Sequence, residues 1–160
     1  MEFKQLFEMQ RQLDAFIEKT QNIERDVFKE KGLALMIELA ELANETRCFK
    51  FWSTKGPSER EVILEEFVDS IHFLLSLGNE KGLTLEAWPE IQMKEDLTNW
   101  FLRTQDAILT FIQHPTEDLY RAVWQYYGVL AYNLGFSFDA IIGAYITKNE
   151  KNYERQRTGY

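Results

Sequence analysis

Cysteine is almost missing from this sequence. The chain of 160 residues has one, Cys48, which excludes an internal disulfide framework and fits a reducing compartment. Proline occurs three times and glycine eight times, so long stretches carry no helix breaker. No run approaches the roughly 20 apolar residues of a membrane-spanning helix. Positive charge is also short: 18 Lys and Arg stand against 26 Asp and Glu, a net charge of -8. Such a chain repels nucleic acid and anionic membrane, which argues against sequence-independent DNA binding. The opening "MEFKQLFEMQ" mixes charged and apolar residues and does not read as a signal peptide. The expectation is a soluble cytoplasmic protein with no nucleic-acid or membrane partner.

What is present is apolar and aromatic. The hydrophobic share is 45%, with 12 Phe, 7 Tyr and 4 Trp, enough for a substantial core in one domain spanning residues 1–160. Apolar residues at Phe3, Leu6, Phe7, Met9, Leu13, Phe16 and Ile17 mostly follow helical spacing. A second helix is predicted from about Glu24 to about Phe51, with Gly32 as a tolerated interruption. "STKGPS" reads as a loop, after which Ser58 and Glu61 suggest a capping box opening a third helix. That helix carries Val62, Ile63, Phe67, Ile71, Leu74 and Leu75 on its inner side and closes at "LGNEKGL". Leu85 to Pro115 reads as helical with a break at Pro89. Pro115-Thr116 opens another helix, with Glu117 and Asp118 in its first turn, where the helix dipole favours acids. A last helix starts near Ser137 and runs into the charged tail. No strand-type alternation of useful length occurs, so the predicted fold is an all-α bundle of about five or six helices.

The acidic residues are not spread evenly. In "ELAELANE", Glu38, Glu41 and Glu45 fall at i, i+3 and i+7 and share one helical face. In "EEFVDSIHF", Glu66 and Asp69 are again i, i+3. Both sets lie beside an apolar stripe. Two antiparallel helices joined by the Lys55–Ser58 loop would point four carboxylates, from Glu38, Glu41, Glu66 and Asp69, into one gap. Charges so crowded raise each other's pKa or push the helices apart, unless a hard divalent cation with oxygen ligands sits between them. The plainer alternative is a solvated acidic face. Asp69 and His72 also resemble half of a di-iron site, but that architecture needs the motif on two helices. The other histidine, His114, has Phe111 at i-3, which disfavours it.

The tail "YITKNEKNYERQRTGY" places Lys148, Asn152 and Arg155 at i, i+4 and i+7. An ammonium, an amide and a guanidinium in a row suit phosphate oxygens. Taken alone, they also fit the ordinary preference for cations near a helix C-terminus. By spacing alone, Phe73 and Trp52 read as core residues and Gln10 as a surface glutamine.

Four stretches together resemble a known family. Glu38-x-x-Glu41, 24 residues, then Glu66-x-x-Asp69 resembles the metal motif of the all-α nucleoside triphosphate pyrophosphohydrolases, which include MazG-type enzymes and the dimeric dUTPases. "FEMQRQLD", "FKFW" and "KNEKNYERQRTGY" are similar to three further motifs of the dimeric dUTPase branch, in that family's order. The resemblance implies an all-α homodimer with a four-helix core carrying an acidic metal site. It implies hydrolysis of dUTP, and of dUDP, to dUMP with two or three Mg²⁺ ions. On it, Glu38, Glu41, Glu66 and Asp69 match the metal ligands, and Glu38 or Glu41 orients or deprotonates the attacking water. Gln10 matches a uracil contact, Asp14 a position where some members have Asn, and Trp52 a residue near the base. His72 and Phe73 match the pair that packs on deoxyribose. Lys148, Asn152, Arg155 and Tyr160 match residues that close over the phosphates and nucleotide. The alternatives are a house-cleaning pyrophosphohydrolase for another nucleotide such as dCTP, and a catalytically silent helical interaction module.

Overall fold

A computed structural model describes residues 1–160 and is all-helical. Six helices follow in order: α1 Phe3–Gln21, α2 Phe28–Thr46, α3 Arg60–Glu80, α4 Leu97–Gln113, α5 Glu117–Leu134 and α6 Phe138–Arg157. α1, α2, α3 and α6 pack around one groove, while α4 and α5 pair with each other and α4 lies along α2. α2 and α3 run antiparallel: Glu45 meets Ser58, and Lys31 meets Glu80 at the other end.

The helix ends follow from local chemistry. α1 opens with a reciprocal box in which Gln5 Oε1 accepts from the Glu2 backbone N–H. Thr116 and Ser137 cap α5 and α6 with their side-chain oxygens, as the turn residues there predict. α2 is shorter than the periodicity suggests at both ends. Asp26 accepts from the Phe28 N–H at 2.9 Å, and Arg47 turns into the left-handed region at φ 57°, stopping the helix. The capping box proposed at Ser58 is not formed. Ser58 instead donates its hydroxyl to Glu45 across the loop, and Glu59 caps α3 without a side-chain bond. Val62, predicted to face inward, is exposed, whereas Ile63, Phe67, Ile71, Leu74 and Leu75 are buried.

Residues 81–96 are not helical, contrary to the pattern read from Leu85 onward. Tertiary contacts override the local preference here. Trp88 packs edge-on against Phe3 and Trp124 and stacks on Phe138 at 5.8 Å. Asn133 donates to the Met93 carbonyl and accepts from the Glu95 N–H. Gly128 lets this segment lie against α5, since a Cβ there would stand 2.2 Å from the Pro89 carbonyl oxygen. Gly32 has a comparable reason for its place in mid-helix. A Cβ at that position would meet Ile112 of α4 at 2.6 Å, so it is a contact point between α2 and α4 rather than an interruption.

The core is aromatic. Tyr120, Trp124 and Tyr127 line one face of α5 at i, i+4 and i+7 and are fully buried, as are Phe67, Phe111 and Tyr145. Of their polar tips, Tyr120 donates to the Leu74 carbonyl at 2.7 Å, whereas Trp124 Nε1 and the Tyr127 hydroxyl are buried without a partner. No single helix is long and apolar enough to cross a membrane.

Candidate active site: a cavity with two unlike ends

Between α1, α2, α3 and α6 lies a cavity of about 520 Å³. Helical spacing accounts for what lines it. α2 contributes Lys31 and Glu38, seven residues apart, with Val27 at its N-cap. α3 contributes Glu65, Glu66, Asp69, His72, Phe73 and Ser76. α1 contributes Gln10, Leu13, Asp14, Ile17 and Glu18, and α6 contributes Lys148, Asn152, Arg155 and Gln156, with Tyr160 beyond. Eleven of the thirteen predicted site residues therefore meet here.

One end is acidic. One oxygen from each of Glu38, Glu66 and Asp69 lies within 4.8 Å of the others. Burial, then the charges of Asp69 and Glu41, push the Glu38 carboxyl up to about 8. Burial and the charges of Asp69 and Glu41 push Glu66 up to about 7. Oε2 of Glu38 and Oε2 of Glu66 are buried with no hydrogen-bond partner. Buried acceptors left unmade are costly, and a hard cation with oxygen ligands is the group that this donor set fits. Glu41 is exposed and lies outside the cavity lining, yet its carboxylate sits against that of Glu38.

A cation already borders this end. Lys148 Nζ is 2.9 Å from Asp69 and 2.7 Å from Glu65, with its side chain 7% exposed. Burial opposes its charge, but the hydrogen bonds to Glu65 and Asp69 win and hold its pKa above the usual range. Burial raises Asp69 despite that ammonium. Further along α6, Arg155 donates to Asn152 and lies over the Tyr160 ring at 5.0 Å. Gly159 at φ 84° folds the last residue back, so that the Tyr160 N–H reaches the Arg155 carbonyl at 2.9 Å.

The other end is a hydrogen-bond network satisfied at every atom but one, His72 Nε2. Gln10, a surface residue on spacing alone, is buried. Its Nε2 donates to Asp14 Oδ1 at 2.9 Å, and its Oε1 accepts from the Tyr145 hydroxyl at 2.9 Å. The same oxygen is 2.7 Å from His72 Nδ1. An amide oxygen only accepts, so the proton of His72 resides on Nδ1. Burial, then Lys148, depresses the imidazole to about 3, which keeps it neutral. It stacks on Tyr145 at 4.3 Å and leaves Nε2 as a buried acceptor with no partner. Ser76 donates to Asp14 Oδ2 at 2.6 Å. Lys31 Nζ is 2.5 Å from Glu80 and 4.0 Å from Asp14 Oδ2. Leu13, Ile17, Ile23 and Val27 give this end apolar walls. Phe73 is half-buried between the two ends rather than in the core.

Trp52 is neither core nor cavity. It is 65% exposed and touches Phe49 and Phe51 in the α2–α3 loop. Sequence reasoning missed Glu65, Ser76, Lys31 and Tyr145. Glu65 carried a signal, since it stands at i-4 from Asp69 and shares its face. The other three gain their roles only where helices cross.

A comparison with protein families matches residues 2–160 to the family described as dUTPase. No curated protein matches the chain.

Proposed function

The chain belongs to the dUTPase family, enzymes that hydrolyse dUTP, and from that premise we propose that residues 1–160 form one nucleotide-hydrolysing domain that converts dUTP, and dUDP, to dUMP in a Mg²⁺-dependent reaction. The observation that carries the metal dependence is the pair of orphaned oxygens on Glu38 and Glu66 beside Asp69. Glu38, Glu66 and Asp69, with Glu41 from the rim, would hold two or three ions. Bound Mg²⁺ would offset the charge of the phosphates and make a nearby water more acidic.

The chain's own groups do the rest. Glu38, once ionised, takes the proton of the attacking water as its oxygen bonds to phosphorus. The bond from that phosphorus to the leaving phosphate oxygen breaks. Lys148 and Arg155 face the charge that spreads onto the leaving oxygens, with Asn152 as a neutral donor between them. Tyr160 covers Arg155. His72 and Phe73 sit mid-cavity, where a deoxyribose would lie, and the bare His72 Nε2 can accept from a sugar hydroxyl. Gln10 and Asp14 mark the base end, with Gln10 acting through Asp14 because its own oxygen is already doubly engaged. Trp52 has no part in the cavity of one chain.

A homodimer is supported by exposed apolar side chains on the adjoining helices α2 and α4, Leu33 and Ile37 with Leu102 and Leu109. A cytoplasmic location is supported by the single free cysteine. The test of function is pyrophosphate and phosphate release from dUTP, dUDP, dCTP and dTTP, with and without a chelator. The expected result is dUMP from dUTP and dUDP, lost on chelation. Activity that persists in the chelator would remove the metal site. Preference for dCTP would remove the uracil assignment.

A further inference from the structure

We infer that Lys31 is a specificity-determining residue: its ammonium donates to the exocyclic oxygen of a 4-oxo pyrimidine while Asp14 accepts from the ring N3–H. This rests on the reading of the cavity as a deoxynucleotide site. The geometry begins with distance along the helices. Lys31 and Glu38 line one face of α2, seven residues apart, and a rise of 1.5 Å per residue separates them by about 10 Å. Ser76 stands the same seven residues beyond Asp69 on antiparallel α3. A nucleotide whose phosphates lie against the acidic end therefore brings its base to Asp14, Ser76 and Lys31.

The donors and acceptors there are fixed before any ligand arrives. Asp14 accepts one hydrogen bond on each oxygen, from Gln10 and from Ser76. Each carboxylate oxygen has a second lone pair, so Asp14 can accept again. Lys31 has three donors. Glu80 engages one at 2.5 Å, and the 4.0 Å to Asp14 is too long for a hydrogen bond. Its side chain is 14% exposed, so the ammonium is held in place and still has a hydrogen to give. An acceptor and a donor stand side by side at the foot of a cleft with apolar walls.

Uracil presents N3–H beside C4=O, the complement of that pair. Cytosine presents the reverse. Its N3 lone pair would face the Asp14 carboxylate, and its amino group would face the ammonium. Mispaired buried groups are costly, so one such edge can discriminate strongly. Thymine has the same edge as uracil, so Lys31 gives no discrimination against it.

The experiment compares kcat/KM for dUTP and dCTP in wild-type protein, Lys31→Met and Glu80→Gln, with Mg²⁺ present. In K31M the dUTP-to-dCTP ratio should fall by about 10- to 100-fold, chiefly through a higher KM for dUTP. In E80Q it should change by less than about threefold, because the ion pair is lost and the ammonium remains. An unchanged ratio in K31M overturns the proposal and leaves dUTP hydrolysis standing. An E80Q effect as large as that of K31M also overturns it, since Lys31 would then act only through its bridge to α3. If K31M does not fold, wild-type kcat/KM for dUTP against 4-thio-dUTP decides, because sulfur is a weak acceptor. A drop of about tenfold supports the proposal, and equality overturns it. Failure of the wild-type protein to hydrolyse any of these nucleotides would remove the parent reading and this one together.

Discussion

The two ends of the cavity solve the problem of buried polarity in opposite ways. At the Asp14 end every oxygen of Asp14 has a partner, and Gln10, His72, Tyr145 and Ser76 are held in one hydrogen-bonded network. At the acidic end, about 10 Å away along α2, three carboxylates crowd together and two of their oxygens have no partner. The filled end is part of what holds the fold, and its donors and acceptors are already oriented. The unfilled end detracts from the fold and becomes favourable only when something else completes it. Stability and chemistry are thus separated along one groove.

Substitutions can test that separation. The largest effect should come from Glu38→Gln, which removes a proposed metal ligand that is also the proposed base. Hydrolysis of dUTP should fall by about 10²–10⁴-fold, measured as kcat. The thermal midpoint of the metal-free protein should not fall, because Glu38, pushed up to about 8, is protonated at neutral pH and an amide has the same shape. A marked loss of stability in E38Q would mean that the acidic end supports the fold after all.

Asp14→Ala should behave differently. It leaves Gln10 Nε2 and Ser76 Oγ without their acceptor inside the bundle. Stability should drop by about 1–3 kcal/mol, read from denaturant midpoints, together with weaker binding of dUTP. If D14A is as stable as the wild type, the network is ornamental and the contrast between the ends disappears.

The smallest effect is on the pH dependence of stability. Glu38 and Glu66 have folded-state values raised to about 8 and about 7, above an ordinary 4.5. Between those limits these two groups bind more protons in the folded protein than in the unfolded chain; neutral His72, held at about 3, offsets one of them below about 6.5, so metal-free stability should fall as pH rises, most clearly from about 6.5 to about 8. Thermal scans across that range check the sign. Mg²⁺ should raise the midpoint, and more so at about pH 8 than at about pH 6, because ligands must be ionised. E38Q should flatten the slope.

The acidic end was the more legible of the two in the sequence. Pairs at i, i+3 on neighbouring helices announce shared faces, and Glu38, Glu66 and Asp69 do converge. The tail was legible for the same reason, since Lys148, Asn152 and Arg155 keep their spacing on α6. Helix number and the starts of α5 and α6 followed from local signals at Thr116 and Ser137. What periodicity could not supply were the crossings. Gln10 looked like a surface residue because its partners, His72 and Tyr145, are 62 and 135 residues away. Ser58 looked like a cap because nothing local revealed that Glu45 would claim its hydroxyl. The stretch around Trp88 looked helical because its contacts with Phe3, Trp124 and Phe138 come from three separate helices.

The ammonium of Lys148, lodged between Glu65 and Asp69, has a consequence for how this protein would meet its ions. A divalent ion that draws on Asp69 competes with a resident positive charge for that carboxylate. An ion arriving with a polyphosphate gives that charge somewhere better to go. Nucleotide should therefore strengthen the binding of Mg²⁺ beyond what the empty protein achieves, and each of the two should tighten the hold on the other by the same factor.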